Sequence, residues 1–358
     1  MKKYYILALS TLMVGSISFA QQDRNPLIET FTSSTCPPCN PANIDLEALL
    51  AQPENDHKYV SVKYQVNWPG NGDPYFTDEV NTRRNFYSVN GVPDLFLDAG
   101  VGYSGNPSIM SQGDLDTRYA TAPLVEIDAY YQVNETTQTV NVQVDYDVLA
   151  DLPPSLRLFV VVFEYETLNN IGGNGETQFE HVMKKMMTGP TGLHQGSMTI
   201  GDSNYEEVSY TFEGSYILPP DAMTPADPAI EHTVEEFSDL GVAVWLQSSI
   251  TKEVYQAVYA KAGFNPLSVE ENEAFISAEL YPNPTEGNAA IAFQMNDVQD
   301  VTIEVVNSLG QIVYSSELLN VEAGRTVHDF STAEFASGLY SVTVRSKDGA
   351  ISKKLSVQ

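Results

Sequence analysis

Cysteine is scarce in this chain, which has only Cys36 and Cys39 among its 358 residues. A scaffold held together by many disulfides is thereby excluded, because such scaffolds need several bridges to replace a small core. A structural zinc site normally needs four ligands. The five histidines are scattered along the chain and do not supply the two ligands needed in addition to the two cysteines. The sequence therefore predicts folding around hydrophobic cores, and it predicts no metal site and no cofactor.

Basic residues are also few, with 18 Lys and Arg against 47 Asp and Glu and a formal net charge of −29. Binding to nucleic acid depends on basic contacts with phosphates, so the composition excludes nucleic acid as a partner. The excess of negative charge predicts good solubility and repulsion from anionic surfaces.

Long apolar runs are missing except near the start of the chain. Lys2 and Lys3 precede the apolar stretch Ile6–Val14, and small residues follow at Ser18 and Ala20. This pattern is typical of a signal peptide, predicted over residues 1–20; an uncleaved anchor is the alternative. No later segment approaches about 18 uninterrupted apolar residues, so no transmembrane span is expected in the mature chain.

The two cysteines form a Cys-Pro-Pro-Cys motif between an extended-looking segment, Pro26–Phe31, and a helical pattern, Pro41–Leu50. A strand, Cys-x-x-Cys and helix in this order indicate dithiol chemistry. If Cys36 lies at the start of the helix, with Pro37 as the first helical residue, unpaired N–H groups and the helix dipole favour its thiolate. Cys39, one turn later, is then placed to resolve a mixed disulfide.

The segments that follow alternate between strand and helix patterns. Alternation of β-formers and polar residues predicts a strand, and a capping residue followed by acidic residues predicts a helix start. We expect a strand at Lys58–Val66, a helix at Thr77–Val89, a strand at Val92–Asp98 and a last helix at Asn106–Ala120.

This order, with Gly91-Val92-Pro93 opening a strand, resembles the thioredoxin fold. The resemblance implies that Cys36 is the nucleophile, Cys39 the resolving thiol and Pro93 a cis proline facing the substrate. The chain departs from thioredoxin at the residue before Cys36, at the two prolines, and at Thr30, where a buried aspartate would be. Its motif surroundings look more like secreted, outer-membrane-associated thioredoxin-like proteins.

Residues 123–264 are predicted to form a β-sandwich, because several strands alternate with turn signals. The segment Phe179–Met187 is the exception and is interpreted as a short helix or a connecting segment. His181 and His194 lack the spacing of metal ligands. The expected strands are Leu124–Tyr131, Gln138–Tyr146, Arg157–Tyr165, Glu207–Gly214, Leu240–Ser249 and Glu253–Lys261.

Residues 265–277 have the composition of a linker, and residues 278–358 that of a small all-β unit. Tyr281-Pro282-Asn283-Pro284 near its start, Gly338-Leu339-Tyr340 and the terminal Lys353–Val357 together resemble the C-terminal sorting domain of type IX secretion. The resemblance implies that the secretion machinery reads this unit as an address.

The predicted protein is thus multidomain: an α/β thioredoxin-like domain at 21–122, a β-sandwich at 123–264, a linker and a sorting domain. Its expected function is that of an exported thiol–disulfide oxidoreductase, secreted or on the cell surface, with a redox-active centre acting on protein or small-molecule thiols and disulfides. A cell-surface binding module on a thioredoxin scaffold, without turnover, is the alternative. A purely structural disulfide is a further one, although it would close only a tiny loop and stabilise little.

Overall fold

The computed structural model describes residues 22–170, 172–263, 275–285, 287–307, 311–347 and 349–357. The signal peptide predicted at 1–20 and most of the predicted linker lie outside these ranges. Strands dominate the architecture. Within the described ranges, no helix has the length and apolar character needed to cross a membrane.

The three α-helices all belong to the first hundred described residues. Buried Ala42, Leu46 and Leu50 recur at four-residue spacing and define the packed face of the first helix. A capping box between Ser111 and Asp114 fixes the start of the third. The helices are α1 (Cys39–Leu50), α2 (Asp78–Tyr87) and α3 (Gln112–Tyr119).

Fifteen strands precede the predicted linker within the ranges given above. They are β1 (Leu27–Thr32), β2 (Val60–Gln65), β3 (Asp94–Leu97), β4 (Tyr103–Gly105), β5 (Val125–Asn134), β6 (Thr139–Val148), β7 (Leu152–Thr167), β8 (Phe179–Met186), β9 (Leu193–Met198), β10 (Ser203–Thr211), β11 (Ser215–Tyr216), β12 (Glu231–His232), β13 (Leu240–Ser248), β14 (Val254–Tyr259) and β15 (Lys261–Ala262).

A nine-stranded sheet organises this part of the chain, in the order β14-β13-β7-β8-β2-β1-β3-β4, with β9 paired to β7. Strand β1 runs parallel to β2 and antiparallel to β3. All nine residues of β13 are buried, which is typical of a strand covered on both faces. Because β2 pairs with β8 through Lys63 and Val182, the sheet runs across residue 122, where the sequence places a domain boundary.

Several hydrophobic clusters pack against the sheet. Leu27 and Phe31 of β1 join the cluster that includes Val80 of α2, whereas Ile28 joins the cluster of Leu46 in α1 and Leu115 in α3. A second sheet, β10-β6-β5-β15, shares a third cluster with β7, β13 and β14. Alternate residues of β1 therefore bury against helices on its two faces.

The segment Phe179–Met187, interpreted from sequence as a short helix or connection, contains strand β8, so that prediction is wrong. It lies between β7, to which it is antiparallel, and β2, to which it is parallel. Met183 and Met186 are buried in the cluster shared with α2. Pairing on both edges and burial of these side chains stabilise a strand here, although the local sequence has few residues that favour strands.

The C-terminal unit is a small sandwich of two antiparallel sheets. Its strands are β16 (Phe275–Tyr281), β17 (Asn288–Met295), β18 (Gln299–Asn307), β19 (Ile312–Val321), β20 (Gly324–Ser331), β21 (Gly338–Ser346) and β22 (Gly349–Val357). The sheet orders are β16-β17-β20 and β19-β18-β21-β22, in which β18 pairs with β19 and β21 with β22 as neighbours in sequence. The core includes Ile291, Phe293, Ile303, Val344 and Leu355.

Candidate functional site

Cys36 lies between the end of β1 and the start of α1, and Cys39 is the first residue of α1. The two form a disulfide with their Cα atoms 5.4 Å apart. Both are buried, with 2% of Cys36 and none of Cys39 exposed. The prolines between them, Pro37 and Pro38, are exposed. The motif therefore reaches the surface through its prolines rather than through its sulfur atoms.

The helix begins at Cys39 and not at Pro37, which corrects the sequence interpretation. A residue that precedes proline is disfavoured in helical conformation, and Pro37 precedes Pro38, which is the N-cap. The amide of Cys39 donates to the carbonyl oxygen of Cys36 at 3.1 Å. Cys36 consequently lies before the first helical turn. The Cys39 amide already donates to a carbonyl oxygen and is not free to bond the Cys36 sulfur.

Pro93 lies beside the dithiol, although 56 residues separate Val92 from Cys36. The Val92–Pro93 peptide bond is cis, as the resemblance implies. The carbonyl oxygen of Val92 is 3.4 Å from the Sγ atom of Cys36. Strand β3, which begins at Asp94 directly after Pro93, is held beside β1 by the pairing of Phe31 with Asp94. The structure thus brings together all three residues singled out from sequence.

A segment from beyond residue 122 packs on the motif; we call residues 172–176 the covering loop. The amide of Asn174 donates to the carbonyl oxygen of Ser34 at 2.9 Å. The Asn174 side-chain amide donates to the carbonyl oxygens of Ser33 and Cys36 at 3.3 and 3.2 Å. The loop therefore bonds directly to the backbone of the Cys-x-x-Cys turn.

Two buried carboxyl groups complete the surroundings of the motif. Glu176 accepts from the side-chain amide of Asn43 in α1 at 2.8 Å, and Asp73 accepts from the amide of Ser34 at 2.7 Å. Burial raises the pKa of Glu176 and of Asp73, although hydrogen bonds to each carboxylate oppose the shift. These groups fix the loop and the turn on either side of the cysteines.

Sequence reasoning missed Asn174 and Glu176, because nothing local connects them with a motif more than 130 residues earlier. The one available signal is the glycine-rich stretch Gly172–Gly175, which is typical of close backbone approach. A Cβ atom on Gly172 would lie 2.5 Å from Cβ and 2.6 Å from the carbonyl oxygen of Ser34.

The Gly172→Ala substitution is expected to loosen the covering loop. The added methyl group meets Ser34 and forces a shift, and overpacking of this kind costs about 1–3 kcal/mol. We expect alkylation of Cys36 in the reduced protein to become about tenfold faster, since 1.4 kcal/mol corresponds to a factor of ten. Gly173→Ala is the matched control, because a Cβ there meets nothing within 4 Å. Equal alkylation rates for both variants would show that the loop does not limit access.

A second polar cluster involves α1, two turns beyond Cys39. Burial opposes ionisation of Glu47, but the charge of Lys63, the hydrogen bonds with Glu180 and Lys63 and a contribution from His181 together outweigh it and hold the pKa of Glu47 at about 2. The hydrogen bond to Glu47, together with burial, raises the pKa of Glu180 to about 8. Burial lowers the pKa of His181 to about 4.

Comparison with known proteins identifies the C-terminal unit. Residues 279–358 match the family described as a secretion system C-terminal sorting domain. None of the curated proteins matches the chain. The sorting domain means that the protein is exported by type IX secretion to the cell surface or the outside of the outer membrane.

Among solved structures, HBP35 of Porphyromonas gingivalis is 14% identical with a TM-score of 0.51, and the match covers 94% of this chain and 99% of that one. This likeness concerns the fold alone. A domain of the outer membrane lipoprotein Omp28 from the same organism is 19% identical, with a TM-score of 0.24 over 40% of this chain and 91% of that one. A Parabacteroides merdae β-glucuronidase is 12% identical, with a TM-score of 0.20 over 60% and 28%. The last two carry no argument.

Proposed function

We propose that this exported protein is a thiol–disulfide oxidoreductase with a thioredoxin-like catalytic part. The observation that carries the proposal is the adjacency of the Cys36–Cys39 disulfide and the Val92–Pro93 peptide. The parallel β1 and β2, the antiparallel β3 and the helix after the motif support a thioredoxin-like arrangement for residues 21–122. The region 123–264 supplies a β-sandwich and extends the same sheet.

Exchange at this site proceeds in two steps. In the reduced protein the Cys36 thiolate attacks one sulfur of a substrate disulfide, forms a mixed disulfide and releases the other substrate sulfur as a thiolate. The Cys39 thiolate then attacks the Cys36 sulfur, closes the Cys36–Cys39 bond and releases the second substrate thiolate. Two electrons pass to the substrate. The same steps in reverse oxidise a substrate dithiol and reduce the protein.

The oxidising direction suits the location. The chain is carried to the cell surface, where no reductant for the dithiol is evident, so oxidation or isomerisation of substrate thiols is the proposed activity. Pro93, beside the sulfur atoms, would face the bound substrate. The substrates would be protein or small-molecule thiols and disulfides.

A binding module without turnover is the second candidate, and burial of both sulfur atoms favours it. Only 2% of Cys36 is exposed, and the covering loop bonds to its carbonyl group. In this alternative the disulfide would stay closed and hold the turn, while the surrounding surface binds a partner.

The test is catalysis by the purified mature protein. We expect it to accelerate disulfide formation in a reduced, unfolded model substrate when oxidised glutathione is supplied as the oxidant, and to accelerate insulin reduction when dithiothreitol is supplied as the reductant. The Cys36→Ser/Cys39→Ser double variant should show only the uncatalysed rate in both assays. Wild-type rates equal to those of the double variant would reject the oxidoreductase and favour the binding module.

A further inference from the structure

A cluster of potential metal ligands lies where α1 meets strand β8. Glu47 comes from the helix, and Glu180 and His181 are neighbours on the strand. Their carboxylate oxygens and a ring nitrogen of His181 all lie within 4.8 Å of one another. The sequence gives no sign of this cluster, because Glu47 lies more than 130 residues before Glu180 and His181.

We propose that Glu47, Glu180 and His181 bind one divalent transition-metal ion, of the class of Zn²⁺ or Mn²⁺. Imidazole and carboxylate are suitable donors for such ions. Three protein ligands leave one position of a tetrahedral ion for water, as in sites that are not purely structural. Donors around Zn²⁺ at ~2.1 Å are ~3.4 Å apart, so the cluster needs only a small inward movement of its side chains.

The surroundings of His181 provide a second, independent observation that indicates a bound ligand. Its Nδ1 atom is buried and has no hydrogen-bond partner among the residues that the structure describes, and a buried polar atom in this state needs an explanation. The ring is stacked on Tyr259, with the centroids 6.1 Å apart, and packs against Phe163 at 5.5 Å. A ring held in this way is already oriented before an ion arrives.

Two carboxyl groups meet at the site, and the adjacent cation is Lys63, whose Nζ atom is 2.5 Å from Oε1 of Glu47. Lys63 is itself buried and balances the charge of Glu47. A bound ion would replace the hydrogen bond that joins Glu180 to Glu47, so that both groups bind it as carboxylates.

An entry path is present as well. His181 lines an open cavity of about 500 Å³, together with Tyr59, Tyr165, Asp56 and His57. Asp56 and His57 are exposed at its edge. The bound ion would connect α1, the helix that starts at Cys39, with a strand from the region beyond residue 122.

The experiment uses the mature protein with its disulfide intact, so that the cysteines cannot bind metal as thiolates. After treatment with a chelator, the protein is titrated with Zn²⁺ by calorimetry and with Mn²⁺ by electron paramagnetic resonance. We expect one equivalent to bind. Glu180→Gln, which keeps the side-chain shape, and His181→Ala should each weaken binding at least about tenfold, since even partners of metal ligands contribute 10- to 100-fold.

His194→Ala is the matched control, because His194 is exposed and lies outside the cluster. It should bind as the wild type does, and circular dichroism confirms that each variant is folded. Absence of binding in the wild type would overturn the proposal. So would unchanged affinity in folded Glu180→Gln and His181→Ala proteins, or loss of binding only in His57→Ala, which would place the ion at the cavity edge.

Discussion

Replacing Arg83 by methionine is expected to lower the free energy of unfolding by about 3–5 kcal/mol, because it leaves the carboxylate of Glu29 buried without a partner. Glu29 is fully buried in β1. The guanidinium of Arg83 donates to its two oxygens at 2.6 and 2.8 Å, and Tyr64 and Tyr87 also donate to it. Arg83 is thus the one cation in direct contact with this buried carboxylate among the described residues.

Arg83 also holds together parts of the chain that are distant in sequence. Its guanidinium carbon lies 4.6 Å from the ring centre of Phe159 and 5.4 Å from that of Trp245, and it donates to Gln247 at 2.7 Å. These residues belong to β7 and β13, beyond residue 122. Loss of Arg83 should therefore destabilise both regions in one transition.

Urea denaturation measures the effect, and Arg84→Met is the matched control. Arg84 is half-buried on the same helix and packs over Trp68, so its loss should cost about 1 kcal/mol or less. The Glu29→Gln/Arg83→Met double variant should recover part of the stability, because the buried charge is removed with its partner. A loss below about 1 kcal/mol in Arg83→Met would mean that the pair does not stabilise the sheet.

The sequence predicted the elements around the dithiol well, because their signals are local. Period-two patterns located β2, and Thr77, the first residue of a predicted helix, is the N-cap of α2. The β-forming run Leu240–Ser249 located β13. The adjacency of Pro93 and Cys36 followed from the order of elements in a fold that the motif resembles.

Long-range pairing could not be predicted in the same way. Nothing in the sequence of β2 indicates that β8, more than a hundred residues later in the chain, pairs with it. The same holds for the partner of Glu29, for the covering loop above Cys36 and for the cluster of Glu47 and His181. Each depends on the register and packing of the whole sheet. A single sequence does not show which of its polar residues contact each other in the folded protein.

The second large effect is expected from single-cysteine variants. If Cys36 attacks and Cys39 resolves, the Cys39→Ser protein should stop at the mixed disulfide, because nothing remains to release the substrate. The Cys36→Ser protein should not reach that stage, since Cys39 is fully buried as the first residue of α1. Both variants should lose turnover, but only one should retain a bound substrate.

The role of Cys36 as nucleophile is tested most directly by mass spectrometry of each reduced variant after mixing with a peptide disulfide. We expect nearly one peptide adduct per chain on Cys36 in the Cys39→Ser protein, and less than about a tenth of that in the Cys36→Ser protein. Double substitution provides the background. Equal adduct in the two variants, more adduct on Cys39, or none in either would contradict the assignment of Cys36 as the nucleophile of an exported oxidoreductase.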